Sequence, residues 1–243
     1  KNLSNKEFSA EDLKEFERYC LSNCVDFIPS TPIVVANFLG HLNKIGRKPA
    51  TIERKLASIS KAHKDNAFES PASNPQIKKI LDGIKRTKGT EQEQAKAFDT
   101  KMLESKMNRL PNTLKGARDK AIILIGFSGA FRRSELAGLK LSDLDFQDDV
   151  LIIRIGKSKT NQYGQYQYKA IFYASNPKLC PVRNLKAYLK LAGEREQDSK
   201  VFVSISKGGQ LSDSISDKAI NNIVKAMIGA DYTGHSLRAS FVT

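Results

Sequence analysis

Residues 121–136 read AIILIGFSGAFRRSEL, the most apolar part of the chain followed at once by two arginines and a glutamate. A helix that is apolar on all sides is stable only when other elements cover most of its surface. Residues 121–131 therefore predict a helix buried at the centre of a folded domain. The apolar run itself, residues 121–127, is much shorter than the roughly 20 residues that a membrane-spanning helix needs.

The sequence around this helix predicts further helices and a hairpin. Residues 150–155 (VLIIRI) and 168–173 (YKAIFY) have strand composition and are separated by a polar connection, which predicts a long β-hairpin. Helical periodicity precedes the hairpin around residues 102–110 and follows it at 182–191 and 217–228. We therefore expect an α+β domain with a small antiparallel sheet.

The N-terminal part of the chain predicts helices only. Ser9, Thr31 and Asn74 are candidate N-caps, and a further helix starts at Thr51. Apolar residues follow each start at helical spacing, so four amphipathic helices are expected to pack as a bundle. The predicted fold is mainly α, with a helical bundle over residues 1–87, a linker over 88–97 and the α+β domain over 98–243.

The chain has three cysteines, an odd number that argues against a disulfide framework and favours a reducing compartment. Cys20 and Cys24 stand one helical turn apart, a spacing that a metal site also uses. No further Cys or His pair follows nearby, so we interpret both as core residues of the first helix.

Charge points to a polyanionic partner. The chain carries 40 basic and 26 acidic residues, a formal net charge of +14. Residues 1–30 have a net charge of −2, whereas residues 44–88 have 12 basic and 4 acidic side chains. These charges alternate with helix-period apolar positions, which favours a folded binding surface over a tail, although a solvated helical surface is the alternative. If the polyanion is a nucleic acid, the residues expected to contact it are Lys44, Arg47, Lys48, Arg54, Lys55, Lys85 and Arg86.

An anionic membrane is the other polyanion to consider. The helices that carry these charges need their apolar faces for the bundle, and the chain has no tryptophan. Little apolar surface is then left to insert into lipid, so no membrane partner is expected.

Three short patches combine charge with an unusual context. Arg132 and Glu135 stand three residues apart after the apolar helix, where a carboxylate can fix a guanidinium. The second patch, GKSKT over residues 156–160, lies at the predicted hairpin tip. The third, GHSLR over residues 234–238, again has charged side chains three apart. Each has a simple structural explanation when taken alone: a buried salt bridge, a turn lysine and a solvated helix start.

Together and in this order, the three patches resemble the tyrosine recombinase (phage integrase) family, in particular its Cre-like two-domain members. RRSEL matches the family's Arg-x-x-Glu element, GKSKT its hairpin lysine, and GHSLR its His-x-x-Arg element. The resemblance extends to the N-terminal half, which is similar to the family's SAM-like core-binding domain, and to LAGLKLSDLDF at residues 136–146. It implies a DNA breaking-rejoining fold and the catalytic residues Arg132, Glu135, Lys159, His235 and Arg238.

The roles that the resemblance implies agree with phosphate chemistry. Arg132 and Arg238 would clamp the scissile phosphate bidentately, as lysine cannot, and Glu135 would hold Arg132. His235 would donate to a non-bridging oxygen or assist proton transfer from the nucleophile. The lysine would protonate the departing 5′-oxygen, a role that chemistry alone leaves open between Lys157 and Lys159 and that the family pattern gives to Lys159. Arg133 is expected to pair on the surface or to contact the DNA backbone.

The resemblance also implies a site-specific recombinase that forms a 3′-phosphotyrosyl intermediate, with no metal, ATP or other cofactor. Its partners would be double-stranded DNA and three further copies, as a homotetramer on two sites. The expected location is cytoplasmic, on the nucleoid, or nuclear in a eukaryote. The family's last His or Trp and its nucleophilic tyrosine have no position after Arg238, so we expect the given sequence to bind without cleaving. A non-catalytic DNA-binding protein with this fold is the alternative.

Overall fold

The computed structural model describes residues 3–91, 94–156 and 166–242, and the side chains of residues 11–91, 94–156 and 166–241. The chain divides into two compact units, Lys1–Glu93 and Gln94–Thr243. The described part is mainly helical with one small antiparallel sheet, which confirms the predicted fold class. None of its helices is both long and apolar enough to cross a bilayer.

The first unit is built from four helices with one apolar core. Its largest fully buried side chains include Phe16, Phe38, Leu39, Leu42 and Ile52. Proline occupies the first turn of the last three helices, where its missing N–H would be unpaired in any case. The helices are α1 (Leu3–Ser22), α2 (Pro32–Lys44), α3 (Pro49–Asp65) and α4 (Pro75–Lys88), with a 3-10 turn at Pro71–Ser73.

Two details of the first helix differ from the prediction. α1 begins at Leu3, not after Ser9, because no glycine or proline interrupts the helix between them. Cys20 is fully buried as expected, but the prediction for Cys24 was wrong. α1 ends at Ser22, and Cys24 lies beyond it, exposed and with a positive φ of 52°.

In the second unit, helix α6 (Leu114–Ser128) contributes residues 121–125 to the apolar core. Residues 121–125 of this helix are at most 1% exposed, as their uninterrupted apolar sequence predicted. The helices are α5 (Thr100–Met107), α6 (Leu114–Ser128), α7 (Arg133–Gly138), α8 (Pro181–Ala192), α9 (Asp217–Met227) and α10 (Gly234–Val242). The strands are β1 (Leu144–Phe146), β2 (Val150–Ile155) and β3 (Gln167–Phe172), paired antiparallel in the order β1-β2-β3.

The sheet contains the predicted hairpin and one strand that the sequence did not reveal. Val150 pairs with Phe172 and Ile155 with Gln167 across β2 and β3. β1 is only three residues long, too short for an alternating pattern to stand out from its surroundings. The inward faces of β2 and β3 bury Leu151, Ile153 and Ile171 against the same core as α6.

Gly126 in α6 lets two other helices approach it closely. A Cβ atom at this position would lie 2.8 Å from Cδ1 of Leu237 and 3.1 Å from Cδ1 of Leu136. Leu136 belongs to α7 and Leu237 to α10, and both are fully buried. One glycine therefore sets the spacing of the two short helices that begin beside Arg132 and His235.

Candidate active site

Arg132 stands at the N-cap of α7, and Glu135 holds it there. One oxygen of the Glu135 carboxylate accepts a hydrogen bond from Nη1 of Arg132 at 2.6 Å. The other oxygen accepts from the Arg132 backbone N–H at 2.8 Å. The Glu135 side chain is 8% exposed and that of Arg132 is 35% exposed. The guanidinium is thus fixed by a buried carboxylate while part of it remains open to solvent, as the i, i+3 spacing predicted.

Lys169 on β3 reaches the same carboxylate and is not among the residues predicted from the sequence. Its ammonium donates to the backbone oxygens of Gly129 and Ala130, the latter at 3.2 Å, and lies 3.8 Å from Oε2 of Glu135. It also lies 4.2 Å from the centroid of the Phe131 ring. The sequence could have indicated that Lys169 points inward, because it lies two residues before the buried Ile171 and so on the same face of β3.

The surroundings of Lys169 disfavour its charged form. Burial is the main cause that lowers the pKa of its ammonium, and the charges of Arg238 and Arg132 lower it further. The negative charge of Glu135 acts in the opposite direction and raises the pKa of Lys169. The ammonium of Lys169 therefore feels two other cations, Arg238 and Arg132, and the carboxylate of Glu135.

Helix α10 presents the His-x-x-Arg element. The N–H of Gly234 donates to Oδ1 of Asn221 at 3.0 Å, and the N–H of Phe98 donates to Oγ of Ser240 at 2.8 Å, so both ends of the helix are tied to the second unit. His235 is exposed in the first turn, and Arg238 is half-buried one turn later. Within the described residues, nothing accepts a hydrogen bond from the Arg238 guanidinium.

Arg133 packs against the start of α10. A Cβ atom on Gly234 would lie 2.1 Å from Cγ and 2.4 Å from Cδ of Arg133, so the arginine stem occupies the space that a side chain would fill. The neighbouring elements RRSEL and GHSLR therefore touch directly. Lys157 and Lys159 lie outside the described residues.

The site has an excess of positive charge carried by partly buried side chains. Three cations face one carboxylate, and partial burial strengthens their attraction for a negatively charged ligand. Arginine offers two parallel donors that match phosphate or carboxylate oxygens. Over the described ranges, no group of three or more His, Cys, Asp or Glu side chains is placed to hold a metal ion.

The predicted DNA-binding residues of the first unit fall into three groups: one buried, three ion-paired and three exposed without a partner among the described residues. Lys55 is a correction to the prediction, because its side chain is only 6% exposed and its ammonium pairs with Asp12 at 2.9 Å and Glu15 at 2.6 Å. Ile52 and Leu56 on the same helix pack into the core of the first unit, and Lys55 is buried beside them. Three others have partly exposed side chains that pair with a carboxylate: Arg54 with the buried Asp12, Arg47 with Glu15 and Lys85 with Glu53.

Lys44, Lys48 and Arg86 are exposed, and no partner for them occurs among the described residues. Lys44, Arg47 and Arg54 also line an open groove of about 990 Å³ between α1, α2 and α3. Glu11, Asp12 and Glu15 line the same groove, so its charge is mixed. Fewer basic side chains are therefore free to contact a polyanion than the number of basic residues in 44–88 suggested.

Comparison with known proteins supports the resemblance. The profile of the phage integrase family matches residues 96–243. An integrase/recombinase xerD homolog of Selenomonas ruminantium is 32% identical over 243 aligned residues, covering 96% of this chain and 70% of the relative. The tyrosine recombinase XerA of Pyrococcus horikoshii is 24% identical, covering 85% of this chain and 63% of that protein. The chain thus spans only about two thirds of the length of these relatives.

Solved structures share the fold. Lambda integrase, crystallised as a dimer bound to a COC' core site, matches with a TM-score of 0.63 at 13% identity, over 99% of this chain and 79% of the other. The XerH recombinase bound to its difH substrate matches with a TM-score of 0.58 at 16% identity, over 94% and 64%. By the extent of the family match and the identity to the Selenomonas relative, the chain belongs to the phage integrase family of tyrosine recombinases.

Proposed function

We propose that the protein is a site-specific DNA recombinase whose strand exchange proceeds through a 3′-phosphotyrosyl intermediate. The observation that carries this proposal is the cluster of Arg132, Glu135, Lys169 and Arg238, in which half-buried cations outnumber the one carboxylate. The recombinases crystallised on DNA that share this fold add support.

The chemistry follows from where charge develops. Attack on a phosphodiester concentrates negative charge on the two non-bridging oxygens of a pentacoordinate centre, and fixed cations stabilise it best because they need no reorganisation. Arg132 and Arg238 would each donate two N–H groups to these oxygens. The carboxylate of Glu135 accepts one hydrogen bond from the Arg132 guanidinium and one from the Arg132 backbone N–H, which limits the motion of the arginine during the reaction.

Proton transfers are assigned to two other residues. His235, exposed in the first turn of α10, would donate to a non-bridging oxygen or help to remove the proton of the nucleophile. Lys159 would protonate the 5′-oxygen that leaves. The nucleophile would be a tyrosine that follows Arg238 in the full-length protein, and the covalent ester would conserve the bond energy for rejoining.

The two units would divide the work. Residues 1–87 would form the core-binding domain that grips the DNA backbone, 88–97 the linker, and 98–243 the catalytic domain. Lys44, Lys48 and Arg86 are exposed members of the predicted backbone-contacting set, and Arg47 and Lys85 could exchange a carboxylate for a phosphate. Arg54 is half-exposed beside the buried Asp12. We further propose a homotetramer on two DNA sites, acting in the compartment that holds the DNA.

The test is covalent trapping with the full-length protein. A nicked suicide substrate, built on the duplex that the protein selects from a random pool, should yield a protein–DNA adduct. Arg132→Ala and Arg238→Ala should each reduce adduct formation by at least roughly 100-fold while leaving DNA binding largely intact. Arg183→Ala is the matched control, because Arg183 lies on α8 over the Tyr173 ring.

Two results would count against the proposal. Wild-type rates of adduct formation in either active-site variant would remove the assigned phosphate clamp. Binding without any adduct in the wild-type protein would instead support a non-catalytic DNA-binding protein that keeps the recombinase fold.

A further inference from the structure

Lys169 joins strand β3 to residues 129–135 of the candidate site, a segment that is distant from it in sequence. Its ammonium hydrogen-bonds to the carbonyls of Gly129 and Ala130 and contacts the carboxylate of Glu135. Gly129 is the C-cap of α6, where carbonyl groups lack partners within the helix. A cation is favoured at this end because the helix dipole is negative there.

The segment that Lys169 binds leads directly to Arg132. Ala130 has a positive φ of 48°, a left-handed conformation that is strained for a residue with a side chain. Such a conformation persists only where surrounding contacts enforce it. Lys169 donates hydrogen bonds to the carbonyl of Ala130 and to that of the preceding residue, Gly129. Arg132, the N-cap of α7, follows Ala130 by two residues.

We propose that Lys169 is a positioning residue, which holds the turn of residues 129–131 and the carboxylate of Glu135 so that the Arg132 guanidinium faces the scissile phosphate. The inference rests on the proposed function of this site. Arg132 and Glu135 are bonded to each other, and Lys169 fixes that pair to the sheet through β3. In its absence the pair keeps its mutual hydrogen bonds and loses its fixed orientation.

If residue 169 served only the stability of the fold, an apolar side chain would suit this position better than a lysine. The Lys169 side chain is 25% exposed, and its ammonium is repelled by the charges of two arginines, Arg132 and Arg238. Like charges at a partly buried site oppose one another, and an apolar side chain would avoid that repulsion. The charge is therefore expected to benefit the presentation of Arg132 more than the stability of the fold.

The experiment compares Lys169→Met, Lys169→Arg and Lys186→Met in the full-length protein. Lys186 is the matched control, since its ammonium also lies over aromatic rings, at 5.0 Å from the Phe146 centroid, and is exposed on α8. The readouts are the rate of adduct formation on the suicide substrate, DNA affinity and the thermal unfolding midpoint.

We expect Lys169→Met to slow adduct formation roughly 10- to 100-fold, since a misplaced catalytic group costs rates of this order. DNA affinity and the unfolding midpoint should change little, because the lost hydrogen bonds and the relieved repulsion act in opposite directions. Lys169→Arg, which keeps the charge and the donors, should restore much of the rate. Lys186→Met should behave as wild type.

A second substrate separates positioning from proton donation. When sulfur replaces the bridging 5′-oxygen, the leaving thiolate needs no proton, so a variant that lacks the general acid recovers its rate. Lys159→Met is expected to be rescued on this substrate and Lys169→Met is not. Rescue of Lys169→Met would overturn the positioning role and make Lys169 itself the acid.

A double-mutant cycle tests whether Lys169 acts through Glu135. If it does, Lys169→Met should lower the rate much less in a Glu135→Gln background than in the wild type, because coupled residues are not additive. Full additivity, or wild-type rates in Lys169→Met, would overturn the inference. Absence of an adduct in the wild type would instead contradict the proposed function itself, so the two failures are distinguishable.

Discussion

At the scale of single residues, the carboxylate of Glu135 decides the geometry of the site. It accepts from the guanidinium and the backbone of Arg132 and contacts Lys169. Both Arg132 groups lie three residues before Glu135, and helical spacing alone made this pairing predictable. Lys169 is 34 residues away on a strand, so only the folded sheet brings it to the same carboxylate. Sequence reasoning found the local half of this cluster and missed the half that depends on long-range pairing.

Glu135→Gln should shift the alkaline limit of cleavage to lower pH. Burial and two arginines lower the pKa of Lys169, and Glu135 is the group that opposes them. Removing its charge lowers that pKa further. If protonated Lys169 is the active form, activity is present below its pKa and is lost as the pH rises through it, so the loss begins earlier in Glu135→Gln.

The measurement is adduct formation against pH for wild type, Glu135→Gln and Lys169→Arg. The arginine stays charged throughout the accessible range, so that variant should lack the limb that belongs to Lys169 and keep any limb that belongs to Lys159. A Glu135→Gln profile shifted to higher pH would contradict the assigned direction.

At the scale of elements, the contacts of α6 place the two arginine-bearing helices. Leu136 of α7 and Leu237 of α10 both contact α6 at Gly126. A Cβ atom on residue 126 would lie closer to either leucine side chain than normal van der Waals contact allows. The two leucines are buried; Leu136 lies four residues after Arg132, and Leu237 directly precedes Arg238. Packing at this one point therefore fixes the separation of Arg132 and Arg238.

Gly126→Val should damage cleavage more than stability. The added methyl groups overpack the junction, which costs about 1 to 3 kcal/mol of unfolding free energy. Part of that cost is offset because valine is a better helix former than glycine. The displacement of α7 and α10 should slow adduct formation roughly 100-fold, as measured by suicide-substrate trapping beside chemical denaturation.

Gly83→Val is the control for this substitution. Gly83 lies within α4, and no atom lies within 4 Å of the position that its Cβ would take. The same change there should leave cleavage unaltered. Equal loss of activity in both variants would mean that the junction at Gly126 does not set the geometry of the site.

Most elements of this fold could be predicted because their signals are local. Asn74 with Pro75 starts α4 as expected, with the Asn74 side chain accepting from the N–H of Gln76 at 2.9 Å. The apolar sequence of residues 121–125 correctly predicted burial on all sides. The missed features depend on tertiary contacts: β1 is a strand only because it pairs with β2, and Lys55 is buried only because α1 supplies two carboxylates.

At the scale of the whole molecule, the positive charge is distributed differently from the first expectation. Residues 1–93 carry 16 basic and 12 acidic side chains, whereas residues 94–243 carry 24 and 14. The basic block of residues 44–88 is largely balanced by carboxylates of the same unit, and several of its members are ion-paired. Most of the net charge therefore lies in the unit that holds the candidate active site.

The salt dependence of DNA binding should separate the exposed lysines from the buried one. The logarithm of the binding constant falls linearly with the logarithm of salt concentration, by about 0.9 for each phosphate neutralised on duplex DNA. Lys44→Gln and Lys48→Gln should each reduce this slope by about that amount, because both side chains are exposed without a carboxylate partner in the described part of the chain.

Lys55→Gln removes the same formal charge from the same unit, yet it should leave the slope unchanged. The ammonium of Lys55 is buried between Asp12 and Glu15, so it has no path to a phosphate, and its loss should instead lower the unfolding midpoint. Lys78→Gln, an exposed lysine of α4 outside the predicted set, controls for net charge alone. Titrations of the four variants over a range of salt concentrations measure the slopes. If all four change the slope equally, net charge alone governs binding, and if only Lys44→Gln and Lys48→Gln change it, the predicted surface of the first unit contacts the DNA backbone.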